Sequence, residues 1–140
     1  MNNPTLPLQS QEPRKTITRS YRPTVVIDMR HNRIRIHKNT LHILGNPNYI
    51  QLLVNPEQQT FVIRCSSSQD YLSHRIKWQL ISGKQCCEIY SKQLMEVMSN
   101  SFFSLKNQQA YRITGRFFAK EQLAHFSIKE SVRIGGNESL

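Results

Sequence analysis

The residues best suited to a chemical task are the basic ones, which are concentrated in one window near the N-terminus. Positions 14 to 38 contain eight Lys and Arg residues and one acid, Asp28, whereas positions 39 to 63 contain no Lys or Arg. Arginine binds a phosphate or a guanine edge through two parallel hydrogen bonds, while lysine contributes mainly a point charge. A basic segment that leads into a strand with an arginine face is therefore suited to following a phosphate backbone. A solvated strand face next to a polar tail is the competing interpretation.

The candidate DNA contacts are the basic residues of this window and a smaller set in the second half of the chain. The first set comprises Arg14, Lys15, Arg19, Arg22, Arg30, Arg33, Arg35, His37 and Lys38. The second set comprises Arg75, Lys77 and Lys84. The whole chain carries a formal charge of +10. A cationic surface of that size favours polyanions, with nucleic acid ahead of acidic membrane. A basic composition without any such partner is the simpler alternative.

Other chemistries lack the residue patterns that they require. The five histidines share no ligand spacing, and Cys86 and Cys87 are adjacent, so a zinc site is not expected. The acids are scattered singly, and no glycine-rich loop is placed to bind phosphate. Because side chains alternate along a strand, one of the two adjacent cysteines should point into the core and the other outward. We therefore expect no catalytic residue, metal or cofactor, and an enzyme is the least favoured class.

The sequence also bears on the compartment. No apolar run approaches the roughly 18 residues that a membrane-spanning helix needs. The N-terminus lacks the apolar region of a secretory signal. Three cysteines do not make a disulfide framework, so a reducing environment is favoured. A cytoplasmic protein without a membrane partner is expected.

The strands that would position the arginines lie at the start of residues 24–65. A first strand runs to a polar turn at 30–32. In the strand that follows, Ile34 and Ile36 share one face, while the basic residues share the other. This period of two is typical of a half-buried strand.

A short helix and a hairpin complete this first unit. Asn39 is expected to be the N-cap of a helix that buries Leu41 and Leu44. Gly45 can end this helix because it adopts the left-handed conformation that a helix end requires. Residues 49–54 and 60–65 form two apolar runs joined by a turn-rich segment, which predicts a strand hairpin.

The run from Asn32 to Lys38, followed by Leu44 and Gly45, resembles the AbrB/MazE-like swapped-hairpin family. That family typically reads Gly-Arg-Ile-x-Ile-Pro-Lys, then a short helix that ends in Leu-Gly, then a hairpin. The matching positions are Arg33, Ile34, Ile36, Lys38, Leu44 and Gly45. Asn32 stands where the family has Gly, which is tolerated because Asn also adopts positive φ, and His37 stands where the family has Pro. The resemblance covers about 42 of the 140 residues. It implies that the strands and loops around the arginine face contact duplex DNA.

The second half resembles a divergent copy of the first in its spacing rather than in its residues. A shift of 53 residues superposes Ile36 on Ile89 and Val25 on Trp78. A second helix is expected over 91–99, burying Leu94, Val97 and Met98. A longer hairpin is expected from strands at 111–118 and 123–128. A chance agreement of spacing is the alternative to a duplication.

These patterns predict a mainly β fold with short helices, of the β or α+β class. Tandem strand–strand–helix–hairpin units would form a pseudo-two-fold, swapped-hairpin-like β-barrel, which removes exposed sheet edges. The alternative is that each half pairs with another chain in a larger oligomer. The predicted divisions are a flexible basic arm (1–23), a first unit (24–65), a linker (66–73), a divergent second unit (74–134) with an insertion (100–109), and a tail (135–140).

Two functions from different classes remain. In the first, the chain is a non-enzymatic DNA-binding protein, a bacterial transcriptional regulator that contacts duplex DNA through its arginine-rich strand face and basic arm. In the second, it is a protein-interaction module, such as an antitoxin-like or mobile-element accessory protein, without specific DNA binding. Exposed aromatic residues anchor many interfaces, so Phe102, Phe103 and Leu105 would then bind a partner protein or a second copy. The alternative, which is favoured, is that these three residues cap an open end of the barrel. If acids from elsewhere in the chain neutralise Arg33 and Arg35, the protein-interaction module is favoured over the DNA-binding protein.

Overall fold

The computed structural model describes residues 21–135, which form a mainly β protein with two five-stranded antiparallel sheets. Most of the predicted arm and most of the predicted tail lie outside the described residues. Among the helices that the structure describes, none has the length and apolar character needed to cross a membrane.

Strands occur throughout residues 21–135. They are β1 Thr24–Asp28, β2 Arg33–His37, β3 Tyr49–Asn55, β4 Thr60–Cys65, β5 Ser73–Arg75, β6 Cys86–Tyr90, β7 Ala110–Thr114, β8 Arg116–Phe118, β9 Leu123–Ser127 and β10 Val132–Ile134. The helices are α1 Lys38–Ile43, α2 Trp78–Ile81 and α3 Lys92–Ser101, with a 3-10 helix at Ile128–Glu130.

Each sheet combines strands from both halves of the chain. The first sheet has the order β10-β7-β1-β2-β6, and the second has the order β5-β3-β4-β9-β8. β1 pairs with β7, β3 pairs with β5, and β4 pairs with β9, all antiparallel. β2 pairs with β6, with Arg35 opposite Glu88. β5 and β6 are therefore terminal strands, and no ladder joins them to each other within residues 21–135.

One apolar core joins the inner faces of the two sheets to the helices. The predicted alternation in β2 is confirmed, because Ile34 and Ile36 are fully buried and their neighbours are half-buried. In the second sheet Phe61 stacks on Phe126 with ring centroids 4.9 Å apart, and Phe102 lies 6.2 Å from Phe61. Large side chains that lose their water-accessible surface in this way supply most of the stabilisation of the fold.

The first helix begins earlier than predicted. The N-cap is His37 rather than Asn39, because the extended backbone of His37 lets its Nδ1 accept a hydrogen bond from the Asn39 N–H at 3.1 Å. The end of the helix is as expected, since Gly45 follows with φ of +93°. Asn32, at the position where the resembled family has Gly, adopts φ of +53°.

The second half departs from the predicted repeat at its start. The 53-residue shift aligns Trp78 with a strand, but the structure has α2 there, and the strand that pairs with the hairpin is β5. The Trp78 Nε1–H donates to the Pro47 carbonyl at 2.9 Å, which holds α2 against the first unit. The later helix, α3, buries Met95 rather than Val97.

Burial decides the outcome for the adjacent cysteines and for the predicted anchor residues. Cys86 and Cys87 point to opposite faces of β6, as expected, with Cys87 in the main core, and both are buried. Phe102 and Leu105 lie in the core, so they cannot form an exposed anchor. Only Phe103 of the three predicted anchor residues is exposed, at 79%.

Candidate nucleic-acid interface

The predicted arginine face is the outer face of β2. Because β2 lies between β1 and β6, Arg33 is directly opposite Asp28 on one side and Tyr90 on the other. Arg35 is opposite Glu88. Side chains that lie opposite each other on one face of an antiparallel sheet are neighbours. This register therefore places an acid beside each of the two arginines.

Asp28 is only 1% exposed and accepts hydrogen bonds from the basic groups around it. Its Oδ1 accepts from the Arg30 Nε–H at 3.0 Å, and its Oδ2 accepts from the Arg33 Nε–H at 3.1 Å. The His31 Nδ1 lies 2.9 Å from the same Oδ2. Burial raises the pKa of Asp28, but these hydrogen bonds outweigh burial and hold the pKa well below its ordinary range. Asp28 is therefore an anion at neutral pH that compensates Arg30 and Arg33.

Glu88 compensates the arginines from the other side of β2. Its Oε2 accepts from Arg33 Nη1 at 3.2 Å, and its Oε1 accepts from the Tyr90 hydroxyl at 3.1 Å. The Arg35 Nε lies 3.5 Å from Oε2 but makes no hydrogen bond within the described residues, so this contact is Coulombic. Burial lowers the pKa of Arg33, but hydrogen bonds to Tyr90 and Asp28 more than offset it and raise the pKa. The arginine face is thus an ion-pair network.

His37 and Lys38 have mainly structural positions. The Nδ1 of His37 accepts the capping hydrogen bond of α1, which requires an unprotonated nitrogen. Burial, together with the positive charge of Lys38, lowers the pKa of His37. His37 is therefore neutral at pH 7. Lys38 is the first residue of α1, and its backbone N–H donates to the Gln85 carbonyl at 2.8 Å.

The basic arm is described only at its end. Arg22 donates from Nε to the Gly115 carbonyl at 2.9 Å and lies 3.7 Å from Glu130. The predicted contacts Arg14, Lys15 and Arg19 lie outside the described residues.

The second predicted set converges on a cleft. The cleft has a volume of about 450 Å³ and lies between β5 and β6, with α2 forming part of its wall. Arg75 of β5, Lys77 beside α2, and Lys84 before β6 all line it. These three side chains are exposed and make no ion pair with any residue in the range 21–135. The structure therefore brings together cations that the sequence spreads over ten positions.

The interior of the cleft is mostly apolar. Ile81, Cys87 and Ile89 are buried and line it. Burial, with the nearby Cys86 and Glu88, raises the pKa of the Cys87 thiol to about 11, so this cysteine is an uncharged core residue at neutral pH. His74 also lines the cleft, although its Nε2 is shielded from solvent and has no hydrogen-bond partner in the described part of the chain.

Glu88 was not foreseen as the partner of the arginines, although one signal could have found it. The 53-residue shift that superposes Ile36 on Ile89 also superposes Arg35 on Glu88. When two equivalent strands pair antiparallel, one residue near the middle lies opposite its own equivalent, and in β2 and β6 this is the pair Arg35 and Glu88.

In the described region no group of three or more His, Cys, Asp or Glu residues is placed to hold a metal ion. No protein-family model, curated protein or solved structure matches the chain.

Proposed function

We propose that the chain is a non-enzymatic DNA-binding protein, of the kind that regulates transcription in bacteria, whose phosphate contacts are Arg75, Lys77 and Lys84 together with the basic N-terminal segment. The observation that carries this proposal is the convergence of these three unpaired cations on the rim of one cleft. We call them the rim cations. A cation without an acidic partner can neutralise a phosphate at no cost beyond its own desolvation.

The overall charge supports the same conclusion. Residues 21–135 contain 16 Lys and Arg against 7 Asp and Glu, so the described part of the chain carries nearly all of the positive excess. Asp28 and Glu88 neutralise part of the charge of the arginine face, so the excess positive charge lies mainly on other surfaces. Electrostatic attraction of this size accelerates association with a polyanion and makes it dependent on salt.

The arginine face is a weaker candidate than the rim cations. A phosphate that bound Arg33 would displace Asp28 or Glu88 and leave a carboxylate without its partner. Because Asp28 is almost fully buried, that loss is expensive. The arginine face therefore contributes less to DNA binding than its position in the sequence predicts.

The pattern of strand pairing supports a relation to the AbrB-like fold. We infer that residues 24–65 and 74–134 are equivalent units with exchanged hairpins. In this arrangement β2 pairs with its equivalent β6, β4 pairs with its equivalent β9, and β1 and β5 each pair with the hairpin of the other unit. A barrel of this type would be open between β5 and β6, the terminal strands of the two sheets that line the cleft.

The experiment is fluorescence anisotropy with a labelled random duplex at several salt concentrations. Each phosphate neutralised contributes about −0.9 to the slope of log K against log salt. The variant Arg75→Ala/Lys77→Ala/Lys84→Ala should therefore flatten the slope by about two to three units. The matched control, Lys92→Ala/Lys106→Ala/Lys120→Ala, removes the same charge from exposed positions elsewhere and should change the slope by less than about one unit.

Two results would contradict the proposal. If both triple variants weaken binding equally, total charge and not the rim determines affinity. If the wild-type protein does not bind duplex at low salt, DNA is not the partner.

The second candidate function is a protein-interaction module. It is favoured by one observation, which is that Asp28 and Glu88 neutralise the arginines of the face that was expected to meet DNA. A chain that fails to bind duplex but still forms a stable complex with a protein through the cleft would belong to this class.

A further inference from the structure

The outer edge of β6 is a row of unpaired backbone groups that opens into the cleft. β6 pairs with β2 on one side only. The Lys38 N–H donates to the Gln85 carbonyl at 2.8 Å, and the Ser91 N–H donates to the Asn32 carbonyl at 3.2 Å. These two hydrogen bonds establish which backbone N–H and C=O groups of β6 point toward β2. Because the direction alternates along a strand, the N–H and C=O groups of Cys86, Glu88 and Tyr90 point away from β2.

These outward groups have no backbone or side-chain hydrogen-bond partner in the part of the chain that the structure describes. An unpaired strand edge is a template for another extended chain, and proteins usually cover or block such edges. The three residues span about 13 Å at roughly 3.3 Å per residue. A segment of about five residues would pair along this length.

The surroundings of the edge indicate the charge of that segment. Across the cleft from β6 stands β5, whose Arg75 belongs to the rim, and Lys77 and Lys84 flank α2. The one acid that lines the cleft, Glu88, is already paired with Arg33 and Arg35. A segment with acidic side chains would therefore find three cations without partners, whereas a basic segment would be repelled.

We propose that the cleft between β5 and β6 binds an acidic, extended peptide segment of a partner protein, which adds as a strand to the outer edge of β6. Main-chain hydrogen bonds to Cys86, Glu88 and Tyr90 hold the segment, and its acidic side chains contact the rim cations. Side chains on its other face meet the apolar interior lined by Ile81, Cys87 and Ile89.

A peptide fits this edge better than the other occupants that its charge allows. A nucleic-acid backbone offers phosphate oxygens, which accept hydrogen bonds, and so it leaves the outward carbonyls of β6 unpaired. A peptide strand offers one donor and one acceptor per residue, which matches the edge. The N-terminal segment 1–20 is excluded by charge, since it contains three basic residues and one acid.

This proposal goes beyond DNA binding, although both use the rim cations, so its test rests on the backbone. The probe is a seven-residue peptide of alternating glutamate and threonine, acetylated and amidated, and binding is followed from the amide resonances of the full chain by NMR. The resonances of Cys86, Glu88 and Tyr90 should shift most. The same peptide with lysine in place of glutamate should bind at least about tenfold more weakly.

The decisive pair of variants is Tyr90→Pro and Tyr90→Ala. Both lose the same side-chain hydroxyl, but only proline removes the N–H that points to the free edge, and an outward N–H is where a strand tolerates proline. Tyr90→Pro should weaken the acidic peptide about five- to tenfold relative to Tyr90→Ala. Duplex binding should be the same in the two variants.

Several results would overturn the proposal. Equal peptide binding by the two Tyr90 variants would show that the edge is not used, and tighter binding of the lysine peptide would contradict the charge argument. If the acidic peptide does not bind at millimolar concentration, the cleft is not a peptide site. The same conclusion would follow if Tyr90→Pro lost binding to a single-stranded oligothymidylate, used as a nucleic-acid probe, but kept binding to the peptide. Loss of duplex binding with retention of the peptide would leave this proposal intact and remove only the proposed function.

Discussion

Asp28 should be the residue on which the stability of the arginine face depends. It is 1% exposed, and it bonds Arg30, His31 and Arg33, whose side chains are at least partly open to water. Removing one partner of a buried ion pair costs about 3–5 kcal/mol, and partial exposure of the arginines reduces this. We therefore expect Asp28→Asn to lower the free energy of unfolding by about 2–3 kcal/mol at pH 7.

Glu88→Gln is the matched control, because Glu88 bonds Arg33 at nearly the same distance but has a side chain that is 36% exposed. Water already solvates much of its charge, so the expected cost is below about 1 kcal/mol. Urea unfolding followed by the fluorescence of the single tryptophan, Trp78, and by circular dichroism measures both values.

The difference between wild type and Asp28→Asn should also depend on pH. The folded-state pKa of Asp28 is lowered, so its stabilisation is fully present above the ordinary Asp pKa of about 3.9 and is lost as pH falls below it. The two proteins should therefore converge in stability as pH falls from about 5 toward 2. The reasoning fails if Asp28→Asn lowers the free energy of unfolding by less than Glu88→Gln does. It also fails if the difference in stability between wild type and Asp28→Asn is constant over this pH range.

Two predictions concern the core and the close approach of strands. Phe102→Ala should cost about 3–5 kcal/mol because this side chain is fully buried, whereas Phe103→Ala, at a side chain 79% exposed, should change stability by less than about 0.5 kcal/mol in urea unfolding. Gly115→Ala should destabilise by more than about 2 kcal/mol, because the added Cβ would lie 2.2 Å from the His125 carbonyl oxygen. Gly135→Ala, whose added Cβ would meet no atom of the described residues within 4 Å apart from its chain neighbours, is the control and should be close to neutral; equal thermal stability of the two glycine variants would refute the steric argument.

Local patterns predicted the elements whose causes are local. The alternation in β2 follows from its own residues, since Ile34 and Ile36 are stabilised by burial and the guanidinium groups of Arg33 and Arg35 are not. The end of α1 at Gly45 follows from the left-handed conformation that this position adopts. The start of α1 did not follow, because His is a less usual cap than Asn and its role depends on an extended backbone held by the pairing of β2 with β6.

The elements that depend on distant contacts were predicted less well. The 53-residue shift predicts a strand at Trp78, but the structure has the helix α2 there. The indole N–H of Trp78 donates to the Pro47 carbonyl, a contact that sequence spacing does not predict. The alternation correctly predicts that one of Cys86 and Cys87 points away from the main core, but it does not predict that the outer face of β6 is covered at Cys86, so that both are buried. Phe102 and Leu105 were candidates for a surface anchor because large apolar side chains are common at interfaces, but both are buried in the core.

The charge of the arginine face shows why a linear count of cations is a poor guide to a polyanion-binding surface. Arg33 and Glu88 are far apart in sequence but 3.2 Å apart in space, because β2 and β6 pair. The chain between Arg75 and Lys84, in contrast, contains no acid, and strand pairing brings none to it that is not already engaged. A cation binds a phosphate or an acidic peptide more favourably when it has no ion pair to break, and among residues 21–135 the rim cations have none. Removing them should therefore change binding more than removing Arg33 and Arg35, whose loss should appear mainly in stability.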